Sequence, residues 1–258
     1  MMYISKQQAY SEFSNLDNPI YPSNNKSLYT KAIANKNKNR YNDILAVDKY
    51  IPLSDEYINA SYIFNQHIAC QAPLPNTKNE FWEMVWTNDV SAIVMLTDLI
   101  ENRKIKAHIY YPIEGNIIIG NISIAIESIS ESNSLIVRKF KLVCGNNTKY
   151  VNHYHYKGWK DGSIPTDINT FVELIHSLRD QPHNRICVHC SAGIGRTGVF
   201  LATYIFLENY YNNKCISIPT LVNGMRQYRM NMVQTKQQYY CIYITINQYI
   251  KSFSQNNN

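Results

Sequence analysis

The most informative part of the sequence is a short apolar segment that is followed by a glycine-containing turn and then by a second apolar stretch. Residues 185–189 read Arg-Ile-Cys-Val-His and predict a buried strand, whereas residues 196–211 predict a helix. The turn between them carries Gly193 and Gly195. Such a turn lets successive backbone N–H groups point inward, and the helix N-terminus adds partial positive charge. The segment therefore predicts an anion-binding cradle, defined here as residues 190–195.

Two reactive side chains frame the cradle. Cys190 begins it, and Arg196 follows six residues later. The field that binds an anion also stabilises a thiolate, so Cys190 is a candidate nucleophile. Arg196 is suited to donate two parallel hydrogen bonds to phosphoryl oxygens, and the Thr197 hydroxyl to stabilise the departing thiolate. A buried structural cysteine is the competing interpretation. A Walker-type loop is excluded because no Gly-Lys-Ser/Thr follows the glycines.

Composition narrows the class of protein. The chain has 258 residues, of which 45% are hydrophobic and 17% charged, which fits one globular domain. The net charge of +6 is not gathered into a basic stripe, so nucleic-acid binding is not expected. Six cysteines lack metal-ligand spacing, and the chain opens without a signal sequence. We expect free thiols in a cytoplasmic protein with no metal, no cofactor and no membrane-spanning segment.

The apolar patterns predict an α/β fold: a single domain with a central twisted mixed β-sheet flanked by α-helices, and a phosphate-binding loop between a strand and a helix. Residues 1–258 form one domain in this interpretation, with an N-terminal helical cap at 1–38 and a polar tail at 253–258. Strands are predicted within 57–72, 90–97, 105–111, 117–129, 135–143, 150–156 and 185–189. Helices are predicted at 80–86, 167–179, 196–211, 220–228 and 237–253.

In full, residues 189–198 read His-Cys-Ser-Ala-Gly-Ile-Gly-Arg-Thr-Gly, which resembles the Cys-X5-Arg signature of the tyrosine-specific protein tyrosine phosphatases. Further similar segments occur in the family's order over nearly the whole chain. They are Asn-Arg-Tyr-Asn-Asp at 39–43, Asp-Glu-Tyr-Ile-Asn-Ala-Ser at 55–61, Gln-Ala-Pro-Leu-Pro-Asn-Thr at 71–77, Phe-Trp-Glu-Met-Val-Trp at 81–86, residues 106–112, and Gln-Thr-Lys-Gln-Gln at 234–238.

The resemblance implies hydrolysis of phosphotyrosine in proteins through a phosphocysteine intermediate. It implies that Cys190 attacks phosphorus, Asp161 protonates the leaving phenolate and Gln234 positions the hydrolytic water. Phosphotyrosine-containing proteins are the implied partners. The remaining residues that match the family's site bind phosphate or support the nucleophile; they are His189, Ser191, Ala192, Gly193, Ile194, Gly195, Arg196 and Thr197.

The same resemblance implies roles outside the cradle. Tyr41 matches the wall against which the phosphotyrosine ring stacks, Asp43 matches a carboxylate that holds the substrate backbone, and Gln238 lies near the water-positioning amide. A second group of residues is expected to support these: Glu101 and Lys106 would order the arginine and the acid-bearing loop, and Tyr110 would bind the His189 ring. Trp159, which belongs to the acid-bearing loop, is the fourth member of this group.

One segment departs from the family pattern. The acid loop, defined here as residues 158–165, reads Gly-Trp-Lys-Asp-Gly-Ser-Ile-Pro, with Lys160 where the family has proline and Gly162-Ser163 where it has an aromatic residue and glycine. These changes add backbone freedom, so we expect the closed position of the loop to be less favoured.

Two alternatives remain open from the sequence. One is a phosphotyrosine-binding module in which the altered acid loop supports little turnover. The other is an RNA 5′-phosphatase or dual-specificity phosphatase built on the same Cys-X5-Arg loop.

Overall fold

The computed structural model of the protein describes residues 4–17, 25–132, 134–181 and 183–253. In this part of the chain the strands are β1 (Ala60–Ile63), β2 (His67–Cys70), β3 (Ala92–Met95), β4 (Ile100–Glu101), β5 (Lys104–Ile105), β6 (Asn116–Ile119), β7 (Ile122–Ser132), β8 (Leu135–Cys144), β9 (Asn147–Tyr156) and β10 (Ile186–His189). The α-helices are α1 (Lys6–Ser14), α2 (Thr30–Ala34), α3 (Lys78–Thr87), α4 (Ile168–Arg179), α5 (Gly195–Tyr211), α6 (Ile218–Tyr228) and α7 (Lys236–Phe253).

The strand that leads into the cradle lies near the middle of the main sheet. The strand order is β1-β2-β10-β3-β9-β8-β7-β6, and β4 pairs with β5 separately. Strand β10 is parallel to β2 and β3, and β3 is parallel to β9, whereas the remaining pairs are antiparallel. The cradle follows β10, so it sits at the carboxyl edge of the parallel strands, where ligands commonly bind in open α/β sheets.

The sheet separates two buried clusters. Along β10, Ile186 and Val188 belong to one cluster, whereas Cys187 belongs to the other, as the two-residue period of a strand requires. The first cluster is shared with helices α4 to α7, and the second is shared with α3. Helix α5 has buried residues at every position from 195 to 207, so its N-terminus is fixed rigidly beneath the cradle.

The predicted fold class is confirmed, since a mixed sheet with helices on its faces is present. The predicted strand at 105–111 is wrong except at its first residue, because only Lys104–Ile105 form a strand. The following backbone instead bonds to single loop groups, with the N–H groups of Lys106 and Ala107 both donating to the Leu99 carbonyl. The predicted strand at 117–129 is divided by a turn at Gly120, whose φ is +56°.

Helix α1 packs on α7 at the N-terminal end of the described chain. The hydroxyls of Tyr239 and Tyr243 donate to the Glu12 carboxylate at 2.8 and 2.5 Å. The N-terminal cap at 1–38 therefore includes a docked helix, although residues 1–3 and 18–24 of that range lie outside the described residues. The predicted polar tail lies outside them after Phe253, and the division of the chain into cap, domain and tail stays a prediction.

Candidate active site

Every backbone carbonyl of residues 190–194 accepts a hydrogen bond from outside the cradle. The donors, in chain order, are His189 Nδ1 at 3.1 Å, Ala72 N at 3.0 Å, Arg229 Nη2 at 2.9 Å, Arg229 Nε at 2.8 Å and, for the last carbonyl, the N–H groups of Gly198 and Val233, each at 3.0 Å. A trans peptide unit holds its N–H opposite its C=O. Because the carbonyls face outward, the following N–H groups face the interior of the cradle.

Gly193 fits the cradle against strand β2. Its φ is +71°, a conformation that favours glycine, and a Cβ atom built on it would lie 2.0 Å from the Cys70 carbonyl oxygen. The glycine predicted from the sequence as a flexible turn residue is therefore also required by a close backbone approach. Gly195 has a different constraint, because a Cβ atom there would lie 2.9 Å from Gln238 Nε2.

Substituting alanine for Gly193 is expected to destabilise the fold. The backbone strain and the overlap with Cys70 together should lower the free energy of unfolding by about 2–5 kcal/mol. Urea denaturation would measure this change. Gly115→Ala is a matched control, since Gly115 has a φ of +60° but no heavy atom within 4 Å of the added methyl group. Equal losses in the two variants would contradict the packing argument.

The environment of Cys190 favours its thiolate. The side chain is buried, with 3% of its surface exposed. Burial opposes ionisation, but the charge of Arg196, the hydroxyl and backbone N–H of Thr197, and the N–H of Gly193 outweigh it and lower the pKa of Cys190 below its ordinary value. These groups stabilise negative charge on the sulfur.

Arg196 is held by one end of its guanidinium group. Its Nη1 atom donates to Glu101 Oε1 at 2.5 Å and to the Trp159 carbonyl at 2.6 Å, and the residue is fully buried. Its Nε and Nη2 atoms have no hydrogen-bond partner among the described residues. A pinned guanidinium with two free adjacent donors is the geometry that binds two oxygens of one anion.

Asp161 lies at the mouth of the cradle. Its Oδ1 atom is 3.5 Å from Arg196 Nη2, and its Oδ2 atom accepts from Lys106 Nζ at 2.7 Å. Its backbone N–H donates to Glu101 Oε2 at 3.0 Å, so Glu101 holds both the arginine and the acid loop. Burial opposes ionisation of Asp161, but Lys106 and Arg196 outweigh it and lower the pKa of the carboxyl group. The carboxylate form is therefore favoured while the cradle is empty.

The acid loop is anchored on its inner side. The Trp159 ring is buried against Phe171, with ring centroids 4.9 Å apart, and its Nε1 donates to the Ser163 carbonyl at 2.8 Å. Ser163 N donates to the Lys160 carbonyl at 3.1 Å, which closes a tight turn with Gly162 at a φ of +73°. The turn therefore requires glycine at position 162. The same glycine stands where the family pattern has an aromatic residue.

Two glutamine side chains lie against the first turn of α5. Gln238 Oε1 accepts from the backbone N–H groups of Gln234 and Thr235 at 2.9 and 3.2 Å. The Gln234 Oε1 atom lies 3.2 Å from the position that a Cβ atom would take on Gly195, so its amide reaches the cradle. Gln234 is exposed and Gln238 is buried. The buried amide therefore fixes the backbone that carries the exposed one.

Tyr41 is tied to the cradle through a serine. The Ser191 hydroxyl donates to the Lys106 carbonyl at 2.8 Å, which leaves its oxygen to accept from the Tyr41 hydroxyl at 2.9 Å. Tyr41 is half-buried, and Asp43 is exposed on the same turn two residues later. The ring of Tyr41 therefore forms a fixed wall beside the cradle.

The sequence reasoning missed Arg229. This fully buried arginine donates to the carbonyls of Ala192 and Gly193 and to Asn59 Oδ1, at 2.9, 2.8 and 2.7 Å. It follows the end of α6, where a basic residue ordinarily caps a helix in solvent. No local pattern distinguishes it from a surface arginine, because its partners come from two distant segments of the chain, residues 59–61 and 192–193.

Two kinds of feature are absent from the described ranges, 4–17, 25–132, 134–181 and 183–253. Their histidine, cysteine and acidic side chains form no group of three that is placed to hold a metal ion. Their helices include none with the length and apolar character needed to cross a membrane.

Comparison with known proteins adds an independent observation. Residues 35–248 match the family model for Protein-tyrosine phosphatase. Receptor-type tyrosine-protein phosphatase eta of Mus musculus is 36% identical over 231 residues, which cover 82% of this chain and 19% of that protein. Tyrosine-protein phosphatase non-receptor type 20 of Rattus norvegicus is 35% identical over 248 residues, which cover 90% of this chain and 58% of that protein. The chain spans less than two thirds of the length of these relatives.

Proposed function

The chain belongs to the protein-tyrosine phosphatase family, and we propose that it hydrolyses phosphotyrosine in proteins through a phosphocysteine intermediate. The observation that carries this proposal is the combination of inward-facing N–H groups with the free Nε and Nη2 donors of Arg196 around a stabilised Cys190 sulfur. These donors suit the equatorial oxygens of a phosphoryl group whose phosphorus the Cys190 thiolate would attack. The arrangement supports phosphoryl transfer to sulfur.

In the first step, the Cys190 thiolate forms a bond to phosphorus while the bond from phosphorus to the tyrosine oxygen breaks. Asp161 gives its proton to that oxygen, so the leaving group departs as neutral tyrosine. A bound phosphate dianion would take up the free donors of Arg196 and add negative charge beside Asp161, which raises the pKa of its carboxyl group. Substrate binding itself therefore favours the protonated acid that the step needs.

In the second step, water attacks phosphorus and the bond from sulfur to phosphorus breaks. Asp161 is now a carboxylate and accepts a proton from the water, while the Cys190 thiolate returns and inorganic phosphate leaves. We assign Gln234 to position this water, with Gln238 holding its backbone. Thr197 stabilises the departing thiolate through its hydroxyl. The protonated Asp161 and the Cys190 thiolate are thereby restored for the next cycle, and one water has been consumed.

Tyr41 favours phosphotyrosine over shorter phosphorylated side chains. Because the Tyr41 wall rises beside a buried sulfur, a phenyl ring is long enough to bring its phosphate to Cys190 and can pack against the wall. We assign the exposed Asp43 to accept hydrogen bonds from the substrate backbone. We therefore propose phosphotyrosine-containing proteins as partners. The need for a reduced Cys190 favours the cytoplasm.

Several residues outside the cradle hold Arg196, Asp161 and the Cys190 backbone in position. Glu101 and the Trp159 carbonyl hold Arg196, and Lys106 holds the Asp161 carboxylate. His189 and Tyr110 act on the other side, where the His189 ring binds the Cys190 carbonyl. The interior N–H groups of residues 191–195 bind the phosphoryl oxygens.

Hydrolysis assays on four substrates test the proposal: para-nitrophenyl phosphate, a phosphotyrosine peptide, the matching phosphothreonine peptide and an RNA with a 5′-triphosphate. We expect turnover of the first two, with the phosphotyrosine peptide preferred over the phosphothreonine peptide and RNA. Tight binding of the phosphotyrosine peptide without turnover would favour a binding module instead. Faster reaction of phosphothreonine or RNA would favour a dual-specificity or RNA phosphatase.

The acid loop yields a separate prediction. The Lys160 N–H has no backbone acceptor among the described residues, so proline at this position removes no such hydrogen bond. Lys160→Pro should favour the ordered loop by about 0.5–1 kcal/mol by restricting the open ensemble. Relaxation-dispersion NMR would detect slower loop exchange. Lys160→Ala, which removes the side chain without adding the ring, should behave as the native chain. Unchanged exchange in Lys160→Pro would contradict the hypothesis.

A further inference from the structure

The hydroxyl of Tyr110 lies between two buried imidazole rings. It is 2.7 Å from His189 Nε2 and 2.8 Å from His153 Nε2. At most 1% of the surface of each of the three side chains is exposed. The three residues come from separate parts of the chain, namely the segment after β5, strand β9 and strand β10. A continuous hydrogen-bonded chain therefore runs from β9 to the residue before Cys190.

The direction of this chain is fixed at the His189 end. His189 Nδ1 is 3.1 Å from the Cys190 carbonyl oxygen, which can only accept, so Nδ1 carries the hydrogen. Burial lowers the pKa of His189 to about 3, so the ring is neutral at physiological pH. A neutral imidazole has one N–H group, and Nε2 is consequently an acceptor. The Tyr110 hydroxyl must donate its only hydrogen to His189.

The same reasoning extends to His153. Since the Tyr110 hydrogen is committed to His189, the Tyr110 oxygen accepts from His153 Nε2–H. Burial, together with the charges of His155 and Arg138, keeps the pKa of His153 well below its ordinary value, so this ring is also neutral. Its Nδ1 atom then carries no hydrogen. Although this atom lies near its own backbone carbonyl, it forms no hydrogen bond in the described part of the chain. His153 is thus the first donor of the chain.

We infer that His153 is a positioning residue for Cys190, acting through Tyr110 and His189. All three hydrogen bonds point the same way, and each bond polarises the next. The last donor reaches the Cys190 carbonyl, which it holds outward so that the following N–H group faces the interior of the cradle. The positive end of the aligned dipoles lies at the backbone of Cys190, on its carbonyl. The inference rests on the proposed function only in taking Cys190 as the reactive group.

Other charged and titratable groups lie near the hydrogen-bonded series His153–Tyr110–His189. The ones named below take no part in its three hydrogen bonds. Arg138 on β8 is paired in register with His153 and stacks over the Tyr111 ring, with its guanidinium carbon 4.8 Å from the ring centroid. The His155 Nε2 atom is bonded to the Thr97 carbonyl at 3.0 Å. Cys70 and Cys187 are buried near Tyr110. On the cradle side, Arg196 is the charge that faces Cys190 most directly.

A matched pair of substitutions tests His153. In His153→Gln, the amide N–H group can replace the Nε2–H donor, whereas His153→Leu has no donor and leaves the Tyr110 oxygen unpaired. The readout is the rate at which iodoacetamide alkylates Cys190 between pH 4 and 9, followed by mass spectrometry of the peptide that contains Cys190. We expect His153→Leu to raise the midpoint of this profile and to slow alkylation at pH 6 by about 3- to 10-fold. His153→Gln should retain the native midpoint.

A purely structural role would give a different result. In that case the melting temperature would fall in His153→Leu while the alkylation midpoint stayed at its native value, and the inference would be overturned. The inference would also fail if His153→Gln shifted the midpoint as far as His153→Leu does. Alkylation needs no phosphatase activity, so a native protein that is readily alkylated but hydrolyses no phosphotyrosine would contradict the proposed function and leave this inference intact.

Tyr110→Phe provides a second variant if His153→Leu does not fold. It keeps the ring packing and removes both hydrogen bonds of the hydroxyl. We expect a midpoint shift at least as large as that expected for His153→Leu. In the double variant Tyr110→Phe/His153→Gln, the midpoint should equal that of Tyr110→Phe, because the restored donor has no oxygen to reach. An unchanged midpoint in Tyr110→Phe would overturn the inference.

Discussion

Replacement of Cys190 by serine is expected to abolish turnover of phosphotyrosine substrates, with kcat reduced by about 10⁴-fold or more. The groups around the cradle lower the pKa of the Cys190 thiol below its ordinary value. A serine hydroxyl starts from a far higher pKa, so the same groups cannot ionise it at neutral pH. Steady-state hydrolysis of para-nitrophenyl phosphate measures the loss, and calorimetry with a phosphotyrosine peptide should show that binding persists.

Cys215→Ser is the matched control for this substitution. Cys215 is an exposed free cysteine, so removing its sulfur should leave kcat and KM unchanged. Retention of a few per cent of native turnover by purified Cys190→Ser protein would contradict the assignment of Cys190 as nucleophile. Equal loss in Cys215→Ser would instead point to a general effect of cysteine replacement.

Replacement of Asp161 by alanine is expected to lower kcat by about 10²- to 10⁴-fold, because the phenolate would leave without a proton. Binding should be largely retained, since the phosphate contacts come from the cradle and Arg196. The pH profile gives a second readout. The native kcat should fall as pH rises and Asp161 loses its proton in the substrate complex, and this limb of the profile should disappear in Asp161→Ala.

Asp89→Ala is a control of equal charge change, because Asp89 forms a surface ion pair with Lys149. It should leave kcat unchanged. An Asp161→Ala variant with nearly native kcat on a phosphotyrosine peptide would refute the role of Asp161 as acid. If instead Asp161→Ala binds substrate without turning it over, the variant can capture phosphorylated proteins and identify the physiological substrates.

The central strand and the helix after the cradle could be predicted because their signals are local. An apolar run, a glycine turn and a longer apolar stretch follow one another within 27 residues, from 185 to 211. The strand predicted at 105–111 failed for the opposite reason. Its alternation reflects side chains such as Tyr110 that face the core, but the backbone has no neighbouring strand to pair with. Sequence periodicity reports which side chains are buried and not whether a ladder partner exists.

The candidate site was likewise only partly predictable from the sequence. Motifs located Cys190, Arg196 and Asp161, since each lies within a recognisable segment. The sequence could not predict that the cradle carbonyls face outward and accept hydrogen bonds there. The donors belong to residues as distant in the chain as Ala72, Arg229 and Val233. His153 was likewise missed, since nothing in the sequence of strand β9 indicates which ring or hydroxyl this histidine will contact.

The outward bonds of the cradle carbonyls also bear on how the site releases its product. The N–H groups face the interior of the cradle before any ligand binds, so binding of an anion costs little conformational entropy. The same low entropic cost applies to the binding of the product. Inorganic phosphate has the same tetrahedral oxygens and lacks only the phenyl ring that packs on Tyr41. A rigid cradle is therefore also a good product site, and the phosphate concentration of the surroundings should set how much of the protein is free to accept its next substrate.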